Sequence, residues 1–217
     1  LILMTISALT EKRSRPARQM FPYNVICNIF SAGERTVQSA GYHETSADFS
    51  YGVTPTHDPV EKEIYVFVIG ETSRASEWSL FGYDRLTTPR LQSKDGLVGF
   101  SRTLSEVNTT HKSVPMLMSG LDSHSLGDSV AIVKSIFSAF NDAGYDTHYI
   151  SNQRRNRSYI DFYGEEAHNS LFLTDSGAPR PDLDLTAEFD KAVNNSKANK
   201  IFVVLHTYGS HFNYRER

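Results

Sequence analysis

The chain has 217 residues, and 22 Lys and Arg against 25 Asp and Glu give a formal net charge of −3, which argues against a basic nucleic-acid-binding surface spread over the molecule. Its 39% hydrophobic and 12% aromatic residues can bury a core, against wholesale disorder. The one cysteine, Cys27, leaves neither an intrachain disulfide scaffold nor a multi-cysteine zinc site.

Residues 1–9 are apolar, short of the roughly 20 that a spanning helix needs. Lys12, Arg13, Arg15 and Arg18 follow, the reverse of the order in a signal peptide. This pattern reads either as the end of a transmembrane helix meeting an interface or as a frayed terminus or buried strand. Residues 19–60 are polar and broken by Gly33, Gly41, Gly52, Pro55 and Pro59, so they read as a connector with one short helix around 24–38. The apolar, β-branched and aromatic run at 63–69 predicts a strand buried on both faces, as in a parallel sheet. Gly70 ends it, and Glu71-Thr72-Ser73-Arg74 falls at its C-terminal edge, where open α/β sheets bind ligands.

Further on, Val130, Val133, Ile136, Phe137 and Phe140 predict an amphipathic helix over 129–143, stopped by Gly144. A short strand over 146–150 and another over 170–173 come next. A helix from 184 to about 195 through Leu185, Phe189 and Val193 precedes a strongly buried strand at 201–205. Strands alternating with helices over short connections predict an α/β sandwich with a mainly parallel sheet.

Three polar clusters follow strand ends or open a helix. Glu71 is either a metal ligand or a helix N-terminal carboxylate. In Asn108-Thr109-Thr110-His111-Lys112-Ser113, a hydroxyl at a helix start is ordinarily an N-cap. The same place can also activate a nucleophile, and Thr109, Thr110 and Ser113 all compete for that role. His206 and His211 flank Gly209 after the last strand, a pairing suited to metal or phosphate. The donor-rich loop 151–157, with Gln153, Arg154, Arg155 and Arg157, can cradle a phosphate or simply be a solvated basic loop. A carboxylate, a hydroxyl, a histidine and a basic loop at one sheet edge describe metal-assisted phosphoryl transfer.

The stretch Gly70-Glu71-Thr72-Ser73-Arg74-Ala75, with Gly82-Tyr83-Asp84-Arg85-Leu86-Thr87-Thr88-Pro89, resembles the GET-x-RA…GY-x-R-x-T-x-P signature of phosphoethanolamine transferases. Thr110-His111-Lys112-Ser113-Val114-Pro115 resembles their T-x-x-S-V-P nucleophile motif, and His206 to His211 their H-x-x-G-x-H segment. The resemblance runs from about 63 to 217 and implies an alkaline-phosphatase/sulfatase-like three-layer sandwich. In that family the catalytic domain faces the periplasm beneath transmembrane helices of the bacterial inner membrane. Phosphoethanolamine passes from phosphatidylethanolamine to lipid A, lipopolysaccharide or a glycan through a phospho-threonine. Carried over by motif, Glu71 would bind zinc, and Thr110 would be both nucleophile and zinc ligand. His211 would contact the phosphoryl group or help proton transfer. Gln153 and Arg157 would lie near the substrate, on a looser alignment.

The family completes its zinc site with an Asp-His pair in a downstream S-D-H-G-E motif, which does not occur here. The chain is therefore expected to be a truncated piece: 1–60 a juxtamembrane connector, 61–217 the N-terminal part of the catalytic domain, inactive alone. A sulfatase would need C/S-x-P-x-R, but Leu117 stands where Arg should be. A phosphoglycerol transferase of the lipoteichoic-acid type and a non-catalytic membrane-associated domain are rival readings of the same residues.

Overall fold

The computed structural model describes residues 21, 22, 25, 29, 33, 41–57, 61–177 and 180–211. The apolar stretch 1–9 and most of the helix expected around 24–38 lie outside them. Two units separate, Leu1–Glu44 and Thr45–Arg217. In the first, the Val25 N–H donates to the Pro22 carbonyl at 3.1 Å and that of Glu44 to Gly41 at 3.0 Å. The second carries the sheet. Residues 45–57 belong to this second unit: Tyr51 donates its hydroxyl to the Lys134 carbonyl at 2.6 Å, and Lys200 Nζ reaches the His57 carbonyl at 2.9 Å. Among the described residues, no helix is long and apolar enough to cross a membrane.

Four parallel strands form the sheet of the described residues: β1 (Glu63–Ile69), β2 (Asp146–Ser151), β3 (Asn169–Phe172) and β4 (Lys200–His206), in the order β1-β4-β2-β3. The register pairs Ile69 with His206, His206 with Ser151, and Ser151 with Phe172, so all four strands end in one row. Their following loops therefore share the C-terminal rim. The helices that matter to the site are α1 (Thr110–Ser119), α2 (Ile136–Asp142), α3 (Tyr159–Glu165) and α4 (Asp184–Asn195).

The core has two faces because side chains alternate along a strand. Ile201, Val203 and Leu205 of β4 pack with Ile150, Leu173 and Leu185, and Phe189 and Val193 of α4 close that side. On the opposite face, Phe202 meets Phe137 and Phe140 of α2 at ring-centroid separations of 5.6 and 3.8 Å. Helices on both sides of a parallel sheet give the expected three-layer α/β sandwich. Each such buried apolar side chain contributes about 1.5–3 kcal/mol.

Two expected elements differ. β1 is not buried on both faces: Val68 is 57% exposed and Tyr65 48%, because β1 lies at the edge of the described sheet while β4 takes the covered centre. Nor is 129–143 one helix. Leu126–Ser129 forms a separate turn of helix, and α2 starts only at Ile136. Side chains break the continuous ladder. The Thr45 and Tyr51 hydroxyls donate to the carbonyls of Ala131 and Lys134. Ser135 caps α2 by accepting from the Phe137 N–H at 3.3 Å, while its own N–H donates to Glu166 at 2.8 Å. The stripe still faces inward, with Val130 and Phe137 buried.

Candidate active site

Glu71 lies just past β1, in a turn whose next residue, Thr72, has φ 49°. A β-branched residue in the left-handed region costs on the order of 1–3 kcal/mol, and such strain concentrates at functional sites. The Thr72 hydroxyl donates to Glu71 Oε1 at 2.9 Å. The Thr110 hydroxyl is shared between Glu71 Oε1 and Oε2, 3.0 Å from each. Residues 39 apart in sequence thus meet at the rim of the sheet.

Thr110 can do this because it is the first residue of α1, not its cap. Thr109 holds the N-cap position with extended backbone, and its side chain makes no capping bond. Val114, Pro115 and Met118 bury one face of α1 against α3, which fixes the helix and turns its N-terminus toward Glu71. The positive end of the helix dipole then favours the carboxylate there.

The segment after β4 holds Glu71 from the other side. Ser210 N–H donates to the Glu71 carbonyl at 3.3 Å. Gly209 has φ +55°, and a Cβ there would lie 2.9 Å from the Glu71 carbonyl oxygen and 3.0 Å from its Cβ. Gly209→Ala is expected to cost about 1 kcal/mol or more in chemical unfolding, since it adds left-handed strain to that contact. An unchanged unfolding midpoint would show that the turn relaxes freely.

Glu71, Thr110, Gln153, His206 and His211 all line one cavity of about 400 Å³. Gln153 donates its amide to the Thr207 carbonyl at 2.7 Å. The His211 ring stacks on Tyr208, with centroids 5.0 Å apart. Arg157 is outside the lining; Arg154 and Asn156 of the same loop are inside it. His206 is wholly buried, and burial pushes its pKa down to about 4, against an opposing pull from Asp182. It is therefore neutral at about pH 7.

Two carboxylates that sequence reasoning missed shape this rim. Asp182 accepts from the N–H groups of Tyr208 at 2.7 Å and Gly209 at 2.8 Å, and from the Asn152 amide at 2.8 Å. It thereby ties the segment after β4 to that after β2. Asp161, buried in α3, accepts from the N–H groups of Asn156 at 2.7 Å and Arg157 at 2.6 Å, which shapes the donor loop. Burial raises the Asp161 pKa, although both hydrogen bonds work against the shift. Their only sequence signal is the acid itself, Asp161 between Ile160 and Phe162 and Asp182 after Pro181.

A zinc site commonly needs about four ligands. Glu71 and Thr110 offer side-chain oxygens that already converge, so they fit as one side of such a site. Among the described residues, no group of three or more His, Cys, Asp or Glu could hold a metal by itself.

Known proteins share this arrangement of elements. Over 168 residues the chain is 27% identical to Kdo(2)-lipid A phosphoethanolamine 7''-transferase of Escherichia coli K12, a match covering 73% of this chain and 29% of that enzyme. The crystal structure of the soluble domain of lipooligosaccharide phosphoethanolamine transferase A from Neisseria meningitidis superposes with a TM-score of 0.63 at 28% identity, over 76% of this chain and 51% of that one. The integral membrane protein lipooligosaccharide phosphoethanolamine transferase A from the same organism matches all of this chain, and 41% of its own, with a TM-score of 0.69 at 24% identity. The chain thus spans less than a third of the E. coli relative and about half of the soluble domain. Residues 63–217, from the first residue of β1 onward, match the family model described as Sulfatase. With its parallel sheet and polar rim inside the matched span, the chain belongs to the sulfatase family.

Proposed function

We propose that this chain carries the nucleophile half of a phosphoethanolamine transferase active site, with Thr110 as nucleophile. The observation that carries the reading is the Thr110 hydroxyl held 3.0 Å from both Glu71 oxygens, at the edge where α/β sheets place chemistry.

Glu71 orients the hydroxyl and accepts its hydrogen bond. Thr110 Oγ attacks the phosphorus of phosphatidylethanolamine, and the new Thr110 O–P bond replaces the P–O bond to diacylglycerol. Diacylglycerol leaves with the proton, and His211, on the cavity wall, assists that transfer. A hydroxyl or phosphate of lipid A, lipopolysaccharide or a glycan then attacks the same phosphorus and frees Thr110. Gln153 and the donor loop, through Arg154 on the cavity wall, offset charge on the phosphoryl oxygens. Zinc, which Glu71 and Thr110 would help to hold, would lower the pKa of the hydroxyl and draw off phosphoryl charge. By the family motif, an Asp and a His would be its remaining ligands. The site faces the periplasm in a protein held at the inner membrane by a segment N-terminal to the domain.

Mass spectrometry of the Thr110 peptide, after the full-length protein meets phosphatidylethanolamine without acceptor, is expected to reveal an added phosphoethanolamine group. The group on another residue, or on none, overturns the assignment.

A further inference from the structure

His206 closes β4 with a ring completely shielded from solvent, yet among the described residues only one of its nitrogens has a partner. Nδ1 lies 2.9 Å from the Tyr149 hydroxyl. Among the described residues Nε2 has no hydrogen-bond partner, although the residue lines the cavity that holds Glu71 and Thr110. An unpaired buried polar group costs about 1–3 kcal/mol, so its persistence beside a cavity needs a reason.

The tautomer follows from the neighbours. Tyr149 is buried in β2, and burial raises its pKa, so it remains a protonated phenol. Among the described residues the hydroxyl makes one hydrogen bond by geometry, to His206 Nδ1, and a phenol is a far stronger proton donor than a neutral imidazole N–H. The phenol proton is then directed at His206 Nδ1, which accepts. A neutral imidazole carries one N–H, and here it sits on Nε2.

We propose that Tyr149 locks His206 as the Nε2–H tautomer, and that this single fixed N–H binds an anionic oxygen of a phosphate ester held in the cavity. The donor is set before the ligand arrives, so no reorganisation is needed on binding. The choice of phosphate rests on the transferase reading; the tautomer lock does not.

Nitrogen-15 NMR of the full chain labelled at histidine tests both parts. The His206 signals are expected to be those of an Nε2-protonated ring, and added inorganic phosphate should shift Nε2 and its proton. Tyr149→Phe should let the two tautomers mix. His206→Asn, whose amide reaches only the Nδ1 position, should weaken phosphate binding about 10-fold. His206→Gln, whose amide reaches the Nε2 position, should recover most of that loss. A purely structural histidine predicts no such difference between Asn and Gln. An Nδ1-protonated ring, a His206 signal indifferent to phosphate, or equal Asn and Gln variants would overturn the proposal. If Thr110→Ala leaves transfer intact while phosphate still shifts His206, the transferase reading fails and the anion contact stands. If transfer depends on Thr110 while His206 ignores phosphate, the contact alone fails.

Discussion

Thr110→Ala in the full-length protein is expected to lower phosphoethanolamine transfer by at least about a thousandfold, the scale on which covalent nucleophiles act. Alanine removes the only atom that could bond to phosphorus at this position and leaves the Glu71 carboxylate without its 3.0 Å partner. Two neighbouring hydroxyls give controls of similar chemistry. Ser113 belongs to the first turn of α1 but not to the cavity lining, and Ser113→Ala should keep most of the activity. Thr109 does line the cavity, yet its side chain makes no capping bond, so Thr109→Ala should be mild for the helix and leave the carboxylate pair intact. Steady-state transfer with all three variants separates the candidates. Equal losses from Thr110→Ala and Ser113→Ala would remove Thr110 from its proposed role, as would full activity in Thr110→Ala.

Much of the rim is legible in the sequence, because an apolar run ending in a polar cluster marks a strand end wherever it occurs. Glu71, Gln153, His206 and His211 all follow that rule, and the parallel register brings them to one edge. The meeting of Glu71 with Thr110 is legible only through the motif resemblance, since no local pattern links positions 39 apart. Where the sequence misleads, a distant partner decides the outcome. Position 135 reads as mid-helix by period, but Glu166, 31 residues later, accepts its N–H and turns Ser135 into a cap. The run 63–69 has the composition of a central strand, yet composition says nothing of which strand the helices cover. Asp182 is invisible for a related reason: its partners, two backbone N–H groups and the Asn152 amide, lie 26, 27 and 30 residues away, and any acid in a loop looks the same beforehand.

Gly164→Ala is expected to destabilise the fold by about 2 kcal/mol, against the sign that helix propensity alone would give. Gly164 lies inside α3, where alanine is normally favoured by about 1 kcal/mol. A Cβ at 164, however, would stand 2.3 Å from both Cδ1 and Cε1 of Tyr149. That ring has no free end to swing aside. It is fully buried, meets Phe137 and Phe172 edge-on at 5.9 and 5.4 Å, and is tethered to His206 by its hydroxyl. Overpacking of this kind costs about 1–3 kcal/mol, and so severe an overlap belongs at the top of the range. The net loss corresponds to a thermal midpoint lower by roughly 4–8 °C for a domain of this size. A double-mutant cycle with Tyr149→Leu isolates the cause, because removing the ring should make Gly164→Ala neutral or stabilising. A midpoint that rises in the single variant would mean that helix propensity prevails and that the ring can move. If the clash prevails as expected, the glycine is what allows α3 to approach β2 closely enough for Tyr149 to lie under His206, which links a small residue on the back of the sheet to the donor at its rim.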